Sequence, residues 1–516
     1  MQQSQSKQQV GGILGFIERI GNKIPDITIL FISAFLLVCV VSAVLAQIHF
    51  NYVHPATGRP IEITNMLSGK ALVDLMSKMV TNYANFPPLS MVIVATLGIG
   101  IADGSGYINT GLKKILSITP KVLITPVVIL VGMLSHLGPD SGYVIIIPIA
   151  AYMFYAVGKH PLAGIAASFA GIAGAFAANY TPSAIDPVIQ GFTQSAAQII
   201  DPGYQVNVLC NYFYAFASTF IVIGACWWVT EKITNPWLWK ACPLDDDLDL
   251  GNENNSSITP SENRTFKIAT AVLLLMLTGL AAALYPADSI LRAPDGVIAS
   301  FKAPIMQSIV SLIFIFAALV GLVYGIACGK FKSPKDVTAA MEEITKTLVQ
   351  LIVFYFFAAQ FLYAFGASNM GALIAVSGAE FLKSLNLPPQ VTVFGIIVFV
   401  ALLNLIITSA SAKWAILAPI FVPMLMAVGI APELTQVAFR VSDSAVNVVT
   451  PMFAFYPLII LYCQKYVKNA GIGTLSSMML PYTIALLVSL TFMLYLFWWL
   501  DIPLGFQADY VYPRRF

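Results

Sequence analysis

The chain has 516 residues, of which 58% are hydrophobic and 10% are charged, and its formal net charge is +2. Polar side chains are too few to cover a soluble protein of this length, so the composition indicates a membrane protein. Because Lys and Arg are dispersed along the chain, a nucleic-acid-binding face is excluded. The six Cys lack a C-x-x-C spacing and the four His are scattered, so the sequence predicts no disulfide framework, metal cluster or organic cofactor.

Nine apolar segments are long enough to cross a bilayer as helices, which takes about 20 residues. The first of them follows Lys23 and ends in Val44-Leu45-Ala46, which also suits a signal-peptide cleavage site, but its length favours a retained helix. The predicted crossings are residues 25–47, 88–112, 161–198, 208–231, 266–285, 304–328, 342–366, 433–464 and 474–500.

Two further apolar segments, 122–157 and 389–428, are too long for one helix and too short for two full crossings. Each contains a polar cluster, at residues 138–142 in the first and 408–414 in the second. We therefore predict two re-entrant hairpins with these clusters at their tips. The fold class is then an all-α polytopic membrane protein with nine transmembrane helices and two re-entrant hairpins.

Two parts of the chain resemble each other, which indicates an internal duplication. PIAAYMFYAVGKHP (148–161) and PIFVPMLMAVGIAP (419–432) match at seven of fourteen positions, and a Thr-Pro pair follows each, at 181–182 and 450–451. Two halves with Gly/Pro-interrupted apolar segments in corresponding positions are typical of the substrate site of a secondary transporter.

Basic residues set the predicted orientation, because cytoplasmic loops are enriched in Lys and Arg. Most of them fall on one side of the nine crossings, which places the N-terminus in the cytoplasm. Lys121 and Lys159, at the two ends of the first hairpin, then both lie inside, and the second hairpin opens outward. The sequence therefore predicts an inverted structural repeat.

These assignments divide the chain into consecutive parts. The stretch with a Pro-rich start and an acidic run at 245–249 reads as a solvated loop. The parts are an N-terminal tail with the first two transmembrane helices (1–116), a first repeat core with hairpin 122–157 and broken helix 161–198 (117–234), a cytoplasmic loop (235–264), central transmembrane helices (265–386), a second repeat core with hairpin 389–428 and broken helix 433–464 (387–470), and a last transmembrane helix with a tail (471–516).

Two basic residues, Lys413 and Arg440, fall at membrane depth, where a charged group is a functional candidate. Arg440 is expected to pair with Asp443, three residues on, which would keep that carboxylate ionised; a purely structural pair is the alternative. Asp186 precedes Pro187 and has no cation nearby in sequence, so it is expected to take up a proton near neutral pH. Asp186 is thus the predicted proton site, with helix capping as the alternative, and Asp443 is assigned a structural or Na⁺ role.

The second hairpin also carries groups suited to an organic anion. Ser411 and Asn404 can donate hydrogen bonds to a carboxylate, and Trp414 offers a flat face to an aromatic ring, with an interfacial belt position as the alternative. An aromatic carboxylate therefore fits this segment. At the first tip, beside Asp140, His136 is expected to have a packing role.

Four points remain open. Lys413 either pairs with substrate or snorkels to water. An intramembrane hydrolase would need Ser411 and Lys413 as its dyad, but residues two apart on a helix point away from each other. A channel would use the same hairpins without coupling, and a carrier of a non-aromatic dicarboxylate is the main rival within the transporter class.

Several strings identify a family resemblance that covers essentially the whole chain. SASAKWAILAPIFVPM (409–424), FRVSDSAVNVVTPM (439–452), ANYTPSAIDPVIQGFTQ (178–194) and GKHPLAG (158–164) resemble the AbgT family of p-aminobenzoyl-glutamate transporters. The resemblance implies a homodimeric secondary transporter of the ion transporter superfamily in the bacterial inner membrane. Its substrates would be p-aminobenzoyl-glutamate for uptake, or p-aminobenzoate and sulfonamides for efflux.

The resemblance also assigns roles to particular residues. The substrate-binding residues would be Asn404, Ser411, Trp414, Arg440 and Pro451, and the ion-coupling residues Asp186 and Asp443. The coupling ion would be H⁺ or Na⁺, with a candidate Na⁺ site near Asp443 and Asn404. The extra proline of Asn179-Tyr180-Thr181-Pro182 departs from the family pattern, so a different local geometry is expected around Asp186.

Overall fold

The computed structural model describes residues 25–54, 58–137, 141–183, 185–245, 258–300 and 302–513. In these ranges the regular elements are helices, with two isolated β-bridges beside them, so the predicted all-α class is confirmed. In chain order the α-helices are α1 (Ile27–Leu45), α2 (Gly69–Ala84), α3 (Pro87–Ser105), α4 (Tyr107–Ser117), α5 (Ile124–Leu134), α6 (Ser141–Ala156), α7 (Pro161–Phe169), α8 (Ile185–Ala197), α9 (Tyr212–Val229), α10 (Asn235–Ala241), α11 (Pro260–Leu284), α12 (Pro304–Gln307), α13 (Ile309–Ala327), α14 (Pro334–Lys346), α15 (Val349–Ala367), α16 (Met370–Ser384), α17 (Pro389–Asn404), α18 (Ala410–Met426), α19 (Pro432–Val446), α20 (Tyr456–Gln464) and α21 (Ile472–Trp499).

Seven helical segments within the described ranges are long and apolar enough to cross a membrane. They contain α1, α3, α9, α11, α13, α15 and α21, and they coincide with seven of the nine predicted crossings. Each consists of 19 or more residues, which at 1.5 Å per residue approaches the thickness of the hydrocarbon layer. The length of the apolar runs alone was sufficient to find them.

The other two predicted crossings are helices broken near their middle. In the first, α7 continues into a π-helical turn, Ala170–Gly174, and α8 starts only at Ile185. In the second, α19 ends at Val446 and α20 starts at Tyr456. A Thr-Pro pair lies in each break, and proline lacks the N–H that would continue a helix. Both breaks therefore leave backbone polar groups free for other partners.

The two predicted hairpin segments each form two short helices, α5 with α6 and α17 with α18. These helices have 11, 16, 16 and 17 residues, each fewer than a straight crossing needs. Residues 138–140 at the first tip, with Asp140, lie outside the described residues.

A sharp bend precedes each pair of short helices, and sequence analysis missed it. The axes of α4 and α5 differ by 119°, and those of α16 and α17 by 117°. The described part of the chain has seven spans, or up to nine if each bent pair counts as one. The predicted arrangement of nine crossings and two hairpins stays a prediction in its detail.

The same order of elements occurs in α4–α9 and in α16–α21. Each set has a bent pair, a second short apolar helix, a broken helix and a long helix. This order agrees with the duplicated sequence motif, while the inverted orientation of the two sets stays a prediction.

The predicted loop at 235–264 is helical at both of its ends. Asn235–Ala241 forms α10, and Thr259 and Glu262 form a capping box at the start of α11. Residues 246–257, with most of the acidic run, lie outside the described residues.

The two broken helices lie at the centre of the protein, and every residue of α7 and of α19 is buried. At the periphery, α3 and α13 pack so closely that a Cβ atom on Gly98 would lie 2.4 Å from the backbone oxygen of Phe314. By contrast, almost none of the spanning part of α11 is buried, so its apolar surface faces lipid or another chain. The helices that lead into the two breaks are thus enclosed by other parts of the protein.

Labelling of single cysteines tests the hairpin topology. On a Cys-free background, Val122→Cys and Tyr155→Cys, both at exposed positions, should react from the same side of the membrane with an impermeant thiol reagent. Ser384→Cys, at the end of α16, should react from the opposite side. If positions 122 and 155 react from opposite sides, the segment between them is a crossing and the hairpin prediction is wrong.

Candidate functional site

The first turn of α8 and the middle of α19 meet through a buried ion pair. Arg440 Nη1 lies 2.7 Å from Asp186 Oδ1, and the two side chains are only 6% and 11% exposed. The other carboxylate oxygen of Asp186 accepts hydrogen bonds from the backbone N–H of Ser183 at 2.8 Å and from its hydroxyl at 3.1 Å. Asp186 therefore caps the first turn of α8 and also forms an ion pair with the Arg440 guanidinium. The capping alternative is present, together with a charge interaction.

The predicted pair between Arg440 and Asp443 is wrong. Arg440 pairs with Asp186 across the two halves, while Asp443 Oδ1 lies 2.7 Å from Lys413 Nζ. Residues three apart on a helix can face each other, but the spacing does not reveal which neighbouring helix offers a better partner. Here α8 and α18 each supply one. Because Asp186 has a cationic partner after all, the physical reason for assigning it the coupling proton is lost.

Lys413 is fully buried and neither reaches water nor stays unpaired. Its ammonium donates a hydrogen bond to the backbone oxygen of Ile407 at 3.0 Å and another to Asn404 Oδ1. The amide of Asn404 in turn donates to the backbone oxygen of Asp443 at 2.7 Å and to Asn447 Oδ1 at 3.1 Å. This polar cluster joins the end of α17 and the start of α18 to the end of α19.

Trp414 lies in the core with 1% of its surface exposed, so the interfacial belt alternative is wrong. Its ring stacks on Phe439, with centroids 4.4 Å apart and planes 28° apart. The flat face expected to receive a substrate ring is therefore covered by Phe439 in this conformation. The prediction that Trp414 binds substrate stays untested.

A chain of hydrogen bonds connects Trp414 to both halves. The sequence did not predict it. Trp414 Nε1 donates to Thr193 Oγ1 at 2.9 Å, and that hydroxyl donates to Gln436 Oε1 at 2.6 Å. Gln436 Nε2 then donates to Asn211 Oδ1 at 2.7 Å. Gln436 precedes Arg440 by four residues and so lies on the same face of α19, which is the one sequence signal that would have pointed to it.

In the first half, the hairpin tip contacts the break in the broken helix. The ring nitrogens of His136 lie within hydrogen-bond distance of Asn179 Oδ1 and of the backbone oxygen of Ile172, and the ring packs edge-on against Phe176. The predicted packing role of His136 is thereby confirmed.

The second half has the same kind of contact. Thr450 Oγ1 donates to the backbone oxygen of Leu405 at 2.7 Å, next to Pro451, which is half-buried in the break. Two further aromatic rings, Tyr143 of α6 and Phe455 of the second break, stack with centroids 4.1 Å apart. Each break is thus held by the short helices around it.

Four buried polar atoms near the ion pairs have no hydrogen-bond partner among the described residues. They are Arg440 Nη2, Ser444 Oγ and both carboxylate oxygens of Asp443, of which Oδ1 is in ion-pair contact with Lys413. A guanidinium can bridge two carboxylates, so Arg440 can hold Asp186 and still offer an N–H to an anion. Ser411 is also nearly buried, and its hydroxyl lies 3.5 Å from that of Ser409.

The hydrolase alternative finds no support in this geometry. Lys413, its required base, is tied to Asp443 and to the oxygens of Asn404 and Ile407. Among the residues that the structure describes, no group of three or more His, Cys, Asp or Glu side chains can hold a metal ion. The cluster of buried ion pairs is therefore suited to binding a cation or an organic anion rather than to hydrolysis.

Comparisons with known proteins agree with this description. A family model described as the AbgT putative transporter family matches residues 12–512. The p-aminobenzoyl-glutamate transport protein of Escherichia coli K12 is 33% identical over 511 residues, which is 99% of this chain and 98% of that protein. Among solved structures, the YdaH transporter of Alcanivorax borkumensis has a TM-score of 0.87 with 36% identity, covering 93% of this chain and 100% of its own. MtrF of Neisseria gonorrhoeae, described as illuminating a class of antimetabolite efflux pumps, has a TM-score of 0.90 with 39% identity, covering 96% of this chain and 100% of its own.

Proposed function

The chain belongs to the AbgT putative transporter family, and from that premise we propose that it is an ion-coupled secondary transporter of aromatic carboxylates. The relative from Escherichia coli suggests p-aminobenzoyl-glutamate as a substrate for uptake, and the similarity to MtrF suggests efflux of antimetabolites such as sulfonamides, with p-aminobenzoate as a further candidate. The protein would act as a homodimer in the bacterial inner membrane with its N-terminus in the cytoplasm. The exposed apolar surface of α11 is available for contacts with lipid or with a second chain.

The observation that carries this proposal is that α19 makes two buried ion pairs, one with α8 of the other broken helix and one with α18 of the second hairpin. Burying charges is costly, and a buried ion pair often adds little stability compared with apolar residues of the same size. Ionisable groups at membrane depth are typical of substrate and ion pathways. The Asp186–Arg440 ion pair joins the two halves. Any relative movement of the halves must therefore either break the pair or move both residues together.

The free donors favour an anion as substrate. Arg440 Nη2 and Ser444 Oγ are buried without hydrogen-bond partners in the part of the chain that the structure describes, and both can donate to a carboxylate. If the coupling ion binds at Asp186, the hold of this carboxylate on Arg440 weakens and the guanidinium becomes available to a substrate carboxylate. Exchange of partners at Arg440 would thus couple ion binding to substrate binding.

A non-aromatic dicarboxylate is the second candidate substrate, and one observation favours it. Phe439 covers the face of Trp414, so an aromatic ring reaches that face only after Phe439 moves, whereas a carboxylate needs only the free donors. Competition separates the two classes: p-aminobenzoate and benzoate should inhibit uptake of labelled p-aminobenzoyl-glutamate if the ring is bound. Inhibition by glutamate alone would favour the dicarboxylate.

Transport in proteoliposomes tests the proposal as a whole. We expect saturable counterflow of labelled p-aminobenzoyl-glutamate or p-aminobenzoate, and accumulation when a gradient of either H⁺ or Na⁺ is imposed separately. A channel shows neither counterflow nor accumulation against a gradient. Absence of counterflow with every aromatic acid tested would contradict the proposed substrate class.

A further inference from the structure

We propose that the ammonium of Lys413 serves as a built-in cation of the second repeat, occupying the oxygen site in which Na⁺ would otherwise bind. Three oxygens face Lys413 Nζ: Asp443 Oδ1 at 2.7 Å, the backbone oxygen of Ile407 at 3.0 Å, and Asn404 Oδ1. A carboxylate, an amide oxygen and a backbone carbonyl outside a helix, here that of Ile407 between α17 and α18, are ligands of the kind that a hard cation takes from a transporter. This inference concerns the coupling ion, and it rests on the proposed function only in that respect.

The ammonium is hydrogen-bonded to two of these oxygens, those of Asn404 and Ile407, and is in ion-pair contact with the third, Asp443 Oδ1. An ammonium has three N–H groups and no acceptor, and here it faces three oxygens while the side chain is fully buried. Asn404 cannot turn its oxygen elsewhere, because its amide nitrogen donates to the backbone oxygen of Asp443 and to Asn447. The predicted Na⁺ site near Asp443 and Asn404 therefore does not fit these residues, since the required oxygens are engaged by a cation belonging to the chain.

One oxygen of the cluster, Asp443 Oδ2, remains without a partner among the described residues. Na⁺ bound there would share the carboxylate with the ammonium and would be repelled by it at short distance in a medium of low dielectric constant. The Lys413 charge thus works against a second cation at this point. Coupling by Na⁺, if the protein uses it, must take place at other residues.

Lys413 is also a positioning residue. Its three contacts hold the end of α17, the connection 405–409 between α17 and α18, and α19 in one arrangement. Removing the ammonium should leave these oxygens facing one another, and a small cation that enters should restore the arrangement.

Na⁺ binding measured without any transport substrate tests the inference, so its outcome does not depend on the proposed function. We expect Lys413→Ala to bind one more radiolabelled Na⁺ per chain than the wild type. Its melting temperature in detergent should rise with NaCl, or with methylammonium chloride, but not with choline chloride at equal ionic strength. The melting temperature of the wild type should be the same in NaCl and in choline chloride, because Lys413 already occupies the oxygen site. Lys413→Ala that gains no Na⁺ and no stabilisation would overturn the inference.

A neutral double variant keeps the test decisive if Lys413→Ala does not fold. Lys413→Met with Asp443→Asn removes both charges together, and we expect it to bind as much Na⁺ as the wild type. Less Na⁺ in the double variant would mean that Asp443 holds Na⁺ in the wild type, which contradicts the inference. Lys78→Ala, which breaks an exposed ion pair with Asp74, is the matched control and should change neither Na⁺ binding nor its effect on stability.

Discussion

Arg440→Gln is expected to destabilise the protein by about 3–5 kcal/mol and to abolish transport. The substitution leaves the Asp186 carboxylate buried with only the two hydrogen bonds from Ser183, and an unpaired buried charge is far more costly than a broken surface pair. It also removes the free N–H that we assign to the substrate carboxylate. The measurements are the melting temperature in detergent and counterflow in proteoliposomes.

A double variant separates the structural effect from the functional one. Arg440→Gln combined with Asp186→Asn leaves no unpaired charge, so most of the lost stability should return while counterflow stays absent. Lys346→Gln, at an exposed pair with Glu343, is the surface control and should leave both measurements unchanged. Recovery of counterflow in the double variant would show that the pair is only structural.

Asp186→Asn alone gives a further distinction. The hydrogen bonds from Ser183 can still reach the amide oxygen, so α8 keeps its first turn, but Arg440 loses its ionic partner. If Asp186 carries the coupling ion, this variant should exchange substrate and fail to accumulate it under an ion gradient. Accumulation at the wild-type rate and with the wild-type pH dependence would contradict the assignment.

Trp414→Ala is expected to cost about 3–5 kcal/mol of stability, the range for truncating a large buried aromatic side chain. The ring is fully packed against Phe439, and its N–H is the first donor of the chain through Thr193 and Gln436. The loss should therefore include the cavity, the stacking and the contact between the halves. Chemical denaturation or thermal melting of the purified protein measures it.

Two controls identify the cause of that loss. Trp414→Phe keeps a ring against Phe439 but lacks the N–H, so it should retain most of the stability and expose the share due to the hydrogen bond. Trp499→Ala, at a side chain that is 81% exposed, should change stability little. If Trp414→Ala melts at the wild-type temperature but loses substrate affinity, the residue is a binding residue and its packing contributes little.

The crossings were predictable because their signal is local: an apolar run of the right length spans a bilayer whatever lies beside it. The breaks at Thr181-Pro182 and Thr450-Pro451 were predictable for the same reason, since proline acts on its own turn. Helices α2, α14 and α16 were missed, since none of them is an apolar run of spanning length by itself. The bends before α5 and α17 depend on tertiary packing, which periodicity does not report.

The pairing of the charged residues was not predictable, because it depends on which helices meet. Asp186 and Arg440 are 254 positions apart, and only the fold brings them together. Sequence analysis found all four charged residues of the centre and both broken helices, but it assigned the wrong partner to Arg440. It likewise found Trp414 without its neighbour Phe439, whose ring covers the face expected to be open.

The paired charges at the centre also determine how the protein responds to membrane voltage. Asp186, Arg440, Asp443 and Lys413 carry two negative and two positive charges, which sum to zero. Moving one elementary charge across a membrane potential takes about 2.3 kcal/mol for each 100 mV. Moving a neutral group of charges together takes no net electrical work. These four residues should then contribute no net charge movement when the empty carrier reorients, and substrate and coupling ion should add the unbalanced charge on which the potential acts.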